Sequence, residues 1–315
     1  MVRKKKTDKL FADYYDEWLE AYKVGAVREI TLKKYYISAK FVRTHVPRLF
    51  VDELDRRTYQ NILNIYAETH EKVTTMDFHH HLKGCIQDMY HDGIIDKDPT
   101  YKAVIKGKAP KEKKIKYLSK EELSRFTSQL VLDQGVNMDW LILIVAKTGL
   151  RFSEALALTP NDFDFSNSRL TIDKTWNYKS TKGCFDLTKN TSSVRKILID
   201  WQIVAQFSQL VKDLEPDEPI FVEKLDNGKY KRLFNSTFNH RVHILCMQAG
   251  IPDISMHCLR HTHASILLVN EVSIQTIAQR LGHSSTQTTQ ETYLHIIKEL
   301  EQKDEQKMLA ALSSI

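Results

Sequence analysis

Met256-His257-Cys258-Leu259-Arg260-His261-Thr262-His263-Ala264-Ser265 opens a stretch that runs on through Leu281-Gly282-His283-Ser284 and ends on Thr292-Tyr293. An arginine, histidines and a tyrosine in one short segment suit chemistry on a phosphate. His257 and Arg260 stand three residues apart, so on a helix they share a face. Gly282-His283 breaks the next helix, and Tyr293 rides a third, ten residues beyond His283.

A side-chain oxygen attacking a phosphodiester needs cations on the non-bridging oxygens, donors for the leaving oxygen and an aligned nucleophile. Arginine offers a planar fork that spans two phosphate oxygens and keeps its charge. A second arginine is therefore expected elsewhere. Thr148-Gly149-Leu150-Arg151-Phe152-Ser153-Glu154 supplies it: an apolar helix around Trp140 to Val145 ends at Gly149, and Arg151 opens the next.

Thr-Gly-Leu-Arg-x-x-Glu, His-x-Leu-Arg-His-Thr-His-Ala-Ser, Leu-Gly-His-Ser and Thr-Tyr, in that order, closely resemble the tyrosine recombinases, and among them the integrases of phages and conjugative transposons. Four ordered motifs are specific where any one alone is weak. The resemblance covers about residues 118 to 300 well and 8 to 106 more loosely. It implies a mainly α fold with a small antiparallel β-sheet. The expected organisation is a helical core-DNA-binding domain at 1–107, a basic linker at 108–117, and a catalytic domain with a C-terminal tail at 118–315.

The resemblance also implies a mechanism. Tyr293 attacks the scissile phosphate, leaving a 3′-phosphotyrosyl bond and a free 5′-OH, while Arg151, Arg260 and His283 stabilise charge on the phosphate oxygens. Glu154 braces Arg151. His257 and Lys189 move the protons: a tyrosine with its ordinary pKa near about 10 is a poor nucleophile at neutral pH, so a base must accompany attack, and His257 is the candidate. The 5′-OH of a partner strand then reverses the step, with no cofactor, ATP or metal. Each residue has a plainer reading beside it: Arg151 as an ion pair with Glu154, His257 and Arg260 as a solvated face, His283 as a helix cap and Tyr293 as core. Only the ordered match favours chemistry.

The 315 residues suffice for two domains with substantial cores. The basic start, Met1 to Lys9, is followed by no apolar signal core, and the longest apolar run, Trp140 to Ala146, is far too short to span a bilayer, so a soluble, cytoplasmic chain is expected. Cys85, Cys184, Cys246 and Cys258 form no Cys-x-x-Cys pair, which argues against a zinc ribbon or disulfide framework. The formal net charge of +6 is unevenly spread: +3 over residues 1–107, +4 over 108–117 and −1 over the remainder. A focused basic face can still bind DNA on a nearly neutral domain.

Upstream, apolar residues recur at helical spacing in four segments: Leu10 to Tyr22, Leu32 to Val42 with Thr31 as its cap, a third after Asp55, and a fourth after Thr74. Together they make a small bundle. Lys33, Lys34, Lys40 and Arg43 decorate the second helix, where the resemblance implies a DNA grip and a solvated face is the plainer alternative. His79-His80-His81 cannot converge on one ion, because successive helical residues point about 100° apart. His257 and His261 have the spacing of zinc proteases but lack the intervening Glu, so no metal is expected there either.

Lys106 to Lys116 contains six lysines with Gly107 and Pro110, an extended segment whose Lys108, Lys111, Lys113 and Lys114 suit phosphates. The resemblance makes it the hinge of a clamp around the duplex. Ser119-Lys120-Glu121-Glu122 is a capping box. Helices are expected at 120–131, 137–148, 151–158, 201–213, 234–249, 259–269, 273–281 and 286–302, and strands at Phe163-Asp164-Phe165, Leu170-Thr171-Ile172 and Arg195 to Ile199. Lys189, in the turn before the last strand, is preferred over nearby Lys179 and Lys182 as the proton donor to the departing 5′ oxygen.

Two duplexes need four active sites, so the expected partners are double-stranded DNA attachment sites and a homotetramer assembled on them. The apolar tail Met308-Leu309-Ala310-Ala311-Leu312 would dock on a neighbouring copy. A directionality factor or host DNA-bending protein also fits; a membrane does not. Integrases of this type commonly carry an extra N-terminal arm-binding domain, whereas here Met1 leads straight into the basic tail and helical domain: a shorter recombinase, or a piece lacking that domain. The alternatives are a chromosome-dimer-resolving recombinase and a catalytically silent DNA-binding relative, with a relaxing topoisomerase and a helical adaptor further off. Affinity for duplex DNA is expected to fall steeply between low and moderate salt, because each phosphate contact releases counterions; a filter-binding titration that is flat over that range would dispose of the clamp.

Overall fold

The computed structural model describes residues 8–109, 117–133, 135–180, 183–188, 191–294 and 296–297. The chain divides into two compact units, Met1–Lys113 and Lys114–Ile315.

In the first unit, helices α1 (Phe11–Tyr22), α2 (Glu29–His45), α3 (Arg56–Ala67) and α4 (Lys72–His91) form the bundle. Phe11, Tyr15, Trp18 and Leu19 make one buried stripe along α1, as their spacing demands. They meet Val42 of α2, Tyr59, Ile62 and Leu63 of α3, and Phe78, Leu82, Ile86 and Met89 of α4. Asp55 caps α3 by accepting from the Thr58 amide at 2.7 Å. Two expected starts move. Helix α2 opens at Glu29, so Thr31 lies inside its first turn rather than at the cap, and α4 opens at Lys72 instead of after Thr74. Tyr36 also leaves the expected apolar stripe, because its hydroxyl donates to Glu20 at 2.8 Å on the surface.

The three consecutive histidines point three ways. His79 is buried with its Nδ1 2.8 Å from the Tyr59 hydroxyl, His80 is exposed, and His81 meets the Ser38 hydroxyl at 3.0 Å. Further on, the Lys108 amide donates to the His70 carbonyl at 2.8 Å, and the Lys108 carbonyl accepts from Lys72 at 3.3 Å. Backbone pairing thus ties Lys108 to the start of α4.

The second unit is organised around a helix that is apolar on all sides. Helix α6 (Met138–Thr148) follows α5 (Lys120–Thr127), whose expected capping box forms between Ser119 and Glu122. Trp140 through Ala146 are all buried, so this continuous apolar run is a central helix covered on every face. Helices α7 (Phe152–Leu156), α8 (Trp201–Leu210), α9 (Asn235–Ala249), α10 (Met256–Val269) and α11 (Ile274–Leu281) complete the set with a last helical segment over 286–294. Helix α10 begins at Met256, earlier than the expected 259, because the Asn239 side chain accepts from the Met256 amide at 2.9 Å. That early start puts His257 on the helix with Arg260.

Strands β1 (Phe163–Asp164), β2 (Arg169–Ile172), β3 (Lys174–Trp176), β4 (Phe185–Leu187) and β5 (Arg195–Leu198) make two small sheets. The expected runs form one antiparallel sheet in the order β1-β2-β5, with Leu170 opposite Ile197. The β3-β4 hairpin was not expected, since each strand is only three residues long; Trp176 and Phe185 cross it edge to face at 5.1 Å. Among the described residues, no helix is long and apolar enough to cross a membrane.

Gly149 ends α6 in the left-handed region at φ 71°, where a side chain is strained. A Cβ there would also lie 2.8 Å from the His263 ring and 3.0 Å from Leu281, both buried. Gly149→Ala is expected to lower stability by roughly 1–3 kcal/mol, read as a reduced denaturation midpoint at unchanged slope. A variant as stable as the parent would show that this turn is not under the constraint described.

Candidate active site

Three helices of the second unit end at left-handed glycines, and two of these ends meet at the cluster: Gly149 after α6 and Gly282 after α11. The last carbonyls of a helix have no partner inside it, and they carry the negative end of its dipole. Here guanidinium groups supply the partners. Arg260 of α10 donates to the Gly149 carbonyl and to the Leu281 carbonyl, each at 2.6 Å, and Arg151 donates to the Gly282 carbonyl at 3.1 Å. Arg260 thereby holds the ends of α6 and α11 to α10, and Arg151 ties the end of α11 to the start of α7.

Arg260 is 3% exposed. Burial, then the neighbouring Arg151, push its pKa down to about 9, which still leaves it a cation at neutral pH. Arg151 remains more open. Its Nη1 meets Glu154 at 2.7 Å, and its own amide donates to the same carboxylate at 2.9 Å.

Glu154 therefore braces Arg151, but it also serves a second cation. Arg195, at the start of β5, donates to both Glu154 oxygens at 2.9 and 3.2 Å, to the Arg280 carbonyl at 2.7 Å and to the Ser193 carbonyl at 2.8 Å. Burial by itself raises the Glu154 pKa; the hydrogen bond and charge of Arg195, then Arg151, outweigh it and hold the carboxyl below the ordinary glutamate range. Arg280 in turn donates to His263 at 2.8 Å.

Three histidines and the tyrosine complete the cluster. His283 is half-buried with its Nδ1 2.8 Å from the Thr289 hydroxyl; burial and then Arg260, Arg151 and Arg195 push its pKa down to about 4. His257 lies exposed at the edge, its pKa lowered by lost hydration and then by Arg260 and Arg151. Tyr293 is 1% exposed, and burial pushes its pKa up to about 12. Its hydroxyl meets His261 Nδ1 at 2.9 Å. The His257 ring stands edge-on to His261 with centroids 4.7 Å apart. His261, one turn along α10 from His257, is thus the direct partner of the tyrosine oxygen.

The fold brings together Arg151, Glu154, His257, Arg260, His283 and Tyr293. Lys189 lies outside the described residues, as do Lys111, Lys113 and Lys114 and the tail Met308–Leu312. In the first unit, Lys33 pairs with Glu29 at 3.0 Å, Lys34 with Asp77 at 3.8 Å, and Arg43 with Asp13 and Asp16 at 2.9 and 2.5 Å. Lys40 and Lys108 are exposed. Among the described residues, no group of His, Cys, Asp and Glu is arranged to hold a metal ion.

Sequence reasoning missed Arg195, His261, Arg280 and Thr289. Arg195 gave no local signal, because its carboxylate partner lies 41 residues away. His261 did give one, adjacent to Arg260 in the decisive motif, but its helical spacing from His257 drew attention to metal binding instead.

Residues 116–299 match the phage integrase family. Among curated proteins, the chain is 24% identical to the integrase of Staphylococcus phage L54a over 93% of this chain and 90% of that one. It is 25% identical to the ICEBs1 integrase of Bacillus subtilis strain 168, over 65% of this chain and 57% of that one. In fold it resembles the Tn1549 transposon integrase solved in complex with a circular intermediate DNA, at a TM-score of 0.70 and 18% identity over 90% of this chain and 95% of that one.

Glu154→Gln keeps the side chain's shape and removes the charge between two guanidinium groups. The variant is expected to be about 3–5 kcal/mol less stable at pH 7, because it leaves buried cations uncompensated. A depressed folded-state pKa contributes stability that is complete above the unfolded value of about 4.3 and is lost as pH falls through the lower folded value. The gap between parent and variant in urea denaturation should therefore hold from pH 8 to 5 and close towards pH 3. A gap that is absent, or constant down to pH 3, would contradict the bracing role.

Proposed function

The chain belongs to the phage integrase family and is a site-specific recombinase of the tyrosine type, and we propose that Tyr293 is its nucleophile and Arg151, Arg260 and His283 its phosphate-binding set. One observation carries this reading: Arg151 and Arg195 share a single carboxylate, Glu154, and the buried Arg260 lies close enough to feel its charge and that of the Tyr293 hydroxyl group. That cluster holds two more positive charges than negative ones. A phosphodiester brings one negative charge, and attack by a phenolate oxygen adds a second as the transition state forms. The imbalance fits the transition state better than the ground state, which is the condition for catalysis by a preorganised charged site.

In the proposed reaction, the Tyr293 oxygen bonds to the scissile phosphorus as the bond to the 5′ oxygen breaks. Two of the five guanidinium donors of Arg260 hold backbone carbonyls, and the others remain for a phosphate oxygen. Arg151 is oriented by Glu154 and the Gly282 carbonyl towards the same anion. Lys189 is the proposed proton donor to the departing 5′ oxygen; His257, expected from the sequence to take the Tyr293 proton, stands at the exposed edge, and His261 meets the tyrosine oxygen instead. Attack by the 5′-OH of a partner strand on the phosphotyrosyl bond reverses these steps and joins the exchanged strands.

The substrates we propose are double-stranded attachment sites of a mobile element in the cytoplasm, which accords with relatives that are named integrases and with a structural neighbour bound to DNA. Two duplexes require four such sites, hence a homotetramer on DNA, with a directionality factor or DNA-bending protein as further partners. An apolar groove of about 670 Å³, bordered by Leu123, Leu132, Ala205, Ile266 and Leu267, with Trp201 75% exposed at its rim, has the chemistry to accept the Met308–Leu312 tail of another copy. The helical unit at 1–107 is the proposed second grip on the duplex, with the 108–117 segment between the two. Lys40 and Lys108 stand exposed for that grip, whereas the ion pairs of Lys33, Lys34 and Arg43 must open to join it.

Covalent trapping tests the proposal. The full chain and its Tyr293→Phe variant are mixed with fragmented, nicked DNA from the source organism, and adducts are sought on a denaturing gel. An adduct with the parent alone, recovered on one sequence, is expected. Adducts retained by the variant would remove Tyr293 from the chemistry, and adducts on many unrelated sequences would favour a relaxing topoisomerase.

A further inference from the structure

We infer that His261 is a catalytic residue, the acceptor of the Tyr293 proton, and that this task does not fall to His257. The inference deepens the reading of Tyr293 as nucleophile and rests on it. Its basis is geometric. His261 Nδ1 lies 2.9 Å from the tyrosine oxygen, within the reach of a direct proton transfer. His257 stacks edge-on to the far partner of that hydrogen bond, with its ring centroid 4.7 Å from that of His261. It therefore stands beside the base and towards solvent, where a departing oxygen is easier to meet.

The surroundings favour the acceptor role. For the phenol to donate, Nδ1 must carry no proton, and His261 is a neutral imidazole: burial, then His257 and Arg260, push its pKa down to about 4. Tyr293 faces the same Arg260, and nearly complete burial keeps its proton on at neutral pH. Water cannot readily take that proton, since the tyrosine is only 1% exposed. A base must already be in place, and His261 is the group in contact. A phosphate anion bound among Arg151, Arg260 and His283 opposes the cationic influences that hold His261 neutral, so its basicity rises when substrate is present. The step balances: the Tyr293 proton passes to His261 Nδ1, the oxygen–phosphorus bond forms, the phosphorus–5′-oxygen bond breaks, and the leaving oxygen takes its proton from a different group.

The test separates the nucleophile from the leaving group. Parent, His261→Asn and His261→Ala full-length chains are assayed in single turnover on a nicked duplex bearing the sequence recovered from the parent adduct. A second duplex has sulfur in place of the bridging 5′ oxygen, a leaving group that departs without a proton. Asn places an amide near the position of Nδ1, so it can hold the tyrosine hydroxyl but cannot take its proton. Both variants are expected to bind DNA like the parent and to cleave about 100-fold more slowly on oxygen and sulfur duplexes alike. Parent-like rates for His261→Asn would reduce His261 to a positioning residue, and recovery of His261→Ala on the sulfur duplex would move its action to the leaving group. Loss of DNA affinity in step with cleavage would make the role structural. Each of these overturns the inference while leaving Tyr293 as nucleophile; absence of a parent adduct would instead remove the reading on which it rests.

Discussion

The buried guanidinium of Arg260, held between the carbonyls that end two helices, is the constraint on which the second unit depends. Gly149 and Leu281 belong to different parts of the chain, and each carries an unsatisfied acceptor at the negative end of a helix. One planar fork satisfies both at 2.6 Å. Arg151 repeats the device on the Gly282 carbonyl, so the ends of α6 and α11 are pinned to the same place by the groups proposed to bind phosphate. Stability and chemistry share these side chains. Removing either arginine leaves helix-end carbonyls without their partner as well as removing a proposed phosphate-binding group.

Such a cluster concentrates positive charge around one carboxylate. Arg195 and Arg151 compete for one carboxylate, Arg260 has none of its own within hydrogen-bonding distance among the described residues, and His261 and His283 are held neutral by burial and then by the neighbouring positive charge. An anion relieves all of these at once. On the proposed reading, a bound phosphate readies the proton acceptors and donors of the site.

The first unit shows a different balance. Its aromatic core was evident from spacing, because a helical stripe must repeat every three or four residues whatever lies opposite it. The basic residues on its second helix were equally visible, yet Asp13, Asp16, Glu29 and Asp77 reach three of them. Glu29 shares the helix with Lys33, but Asp13, Asp16 and Asp77 come from other helices, and counting lysines along one helix says nothing about them. The helix starts at Glu29, Lys72 and Met256 were likewise misplaced by a few residues, and the last of these depends on Asn239, which sits outside the local window.

Sequence alone determined the class of fold, the family resemblance and six of the residues that the fold gathers: Arg151, Glu154, His257, Arg260, His283 and Tyr293. These lie in short ordered motifs, and the glycine turns and the apolar central helix beside them are local properties that periodicity and backbone preference reveal. Tertiary structure decided which group touches which. Arg260 finds the Gly149 carbonyl across 111 residues, Arg195 finds Glu154 across 41, and Tyr293 meets His261 rather than His257 across 32. Hydrogen bonds act over about 3 Å, and only folding brings groups so far apart in the chain to that distance.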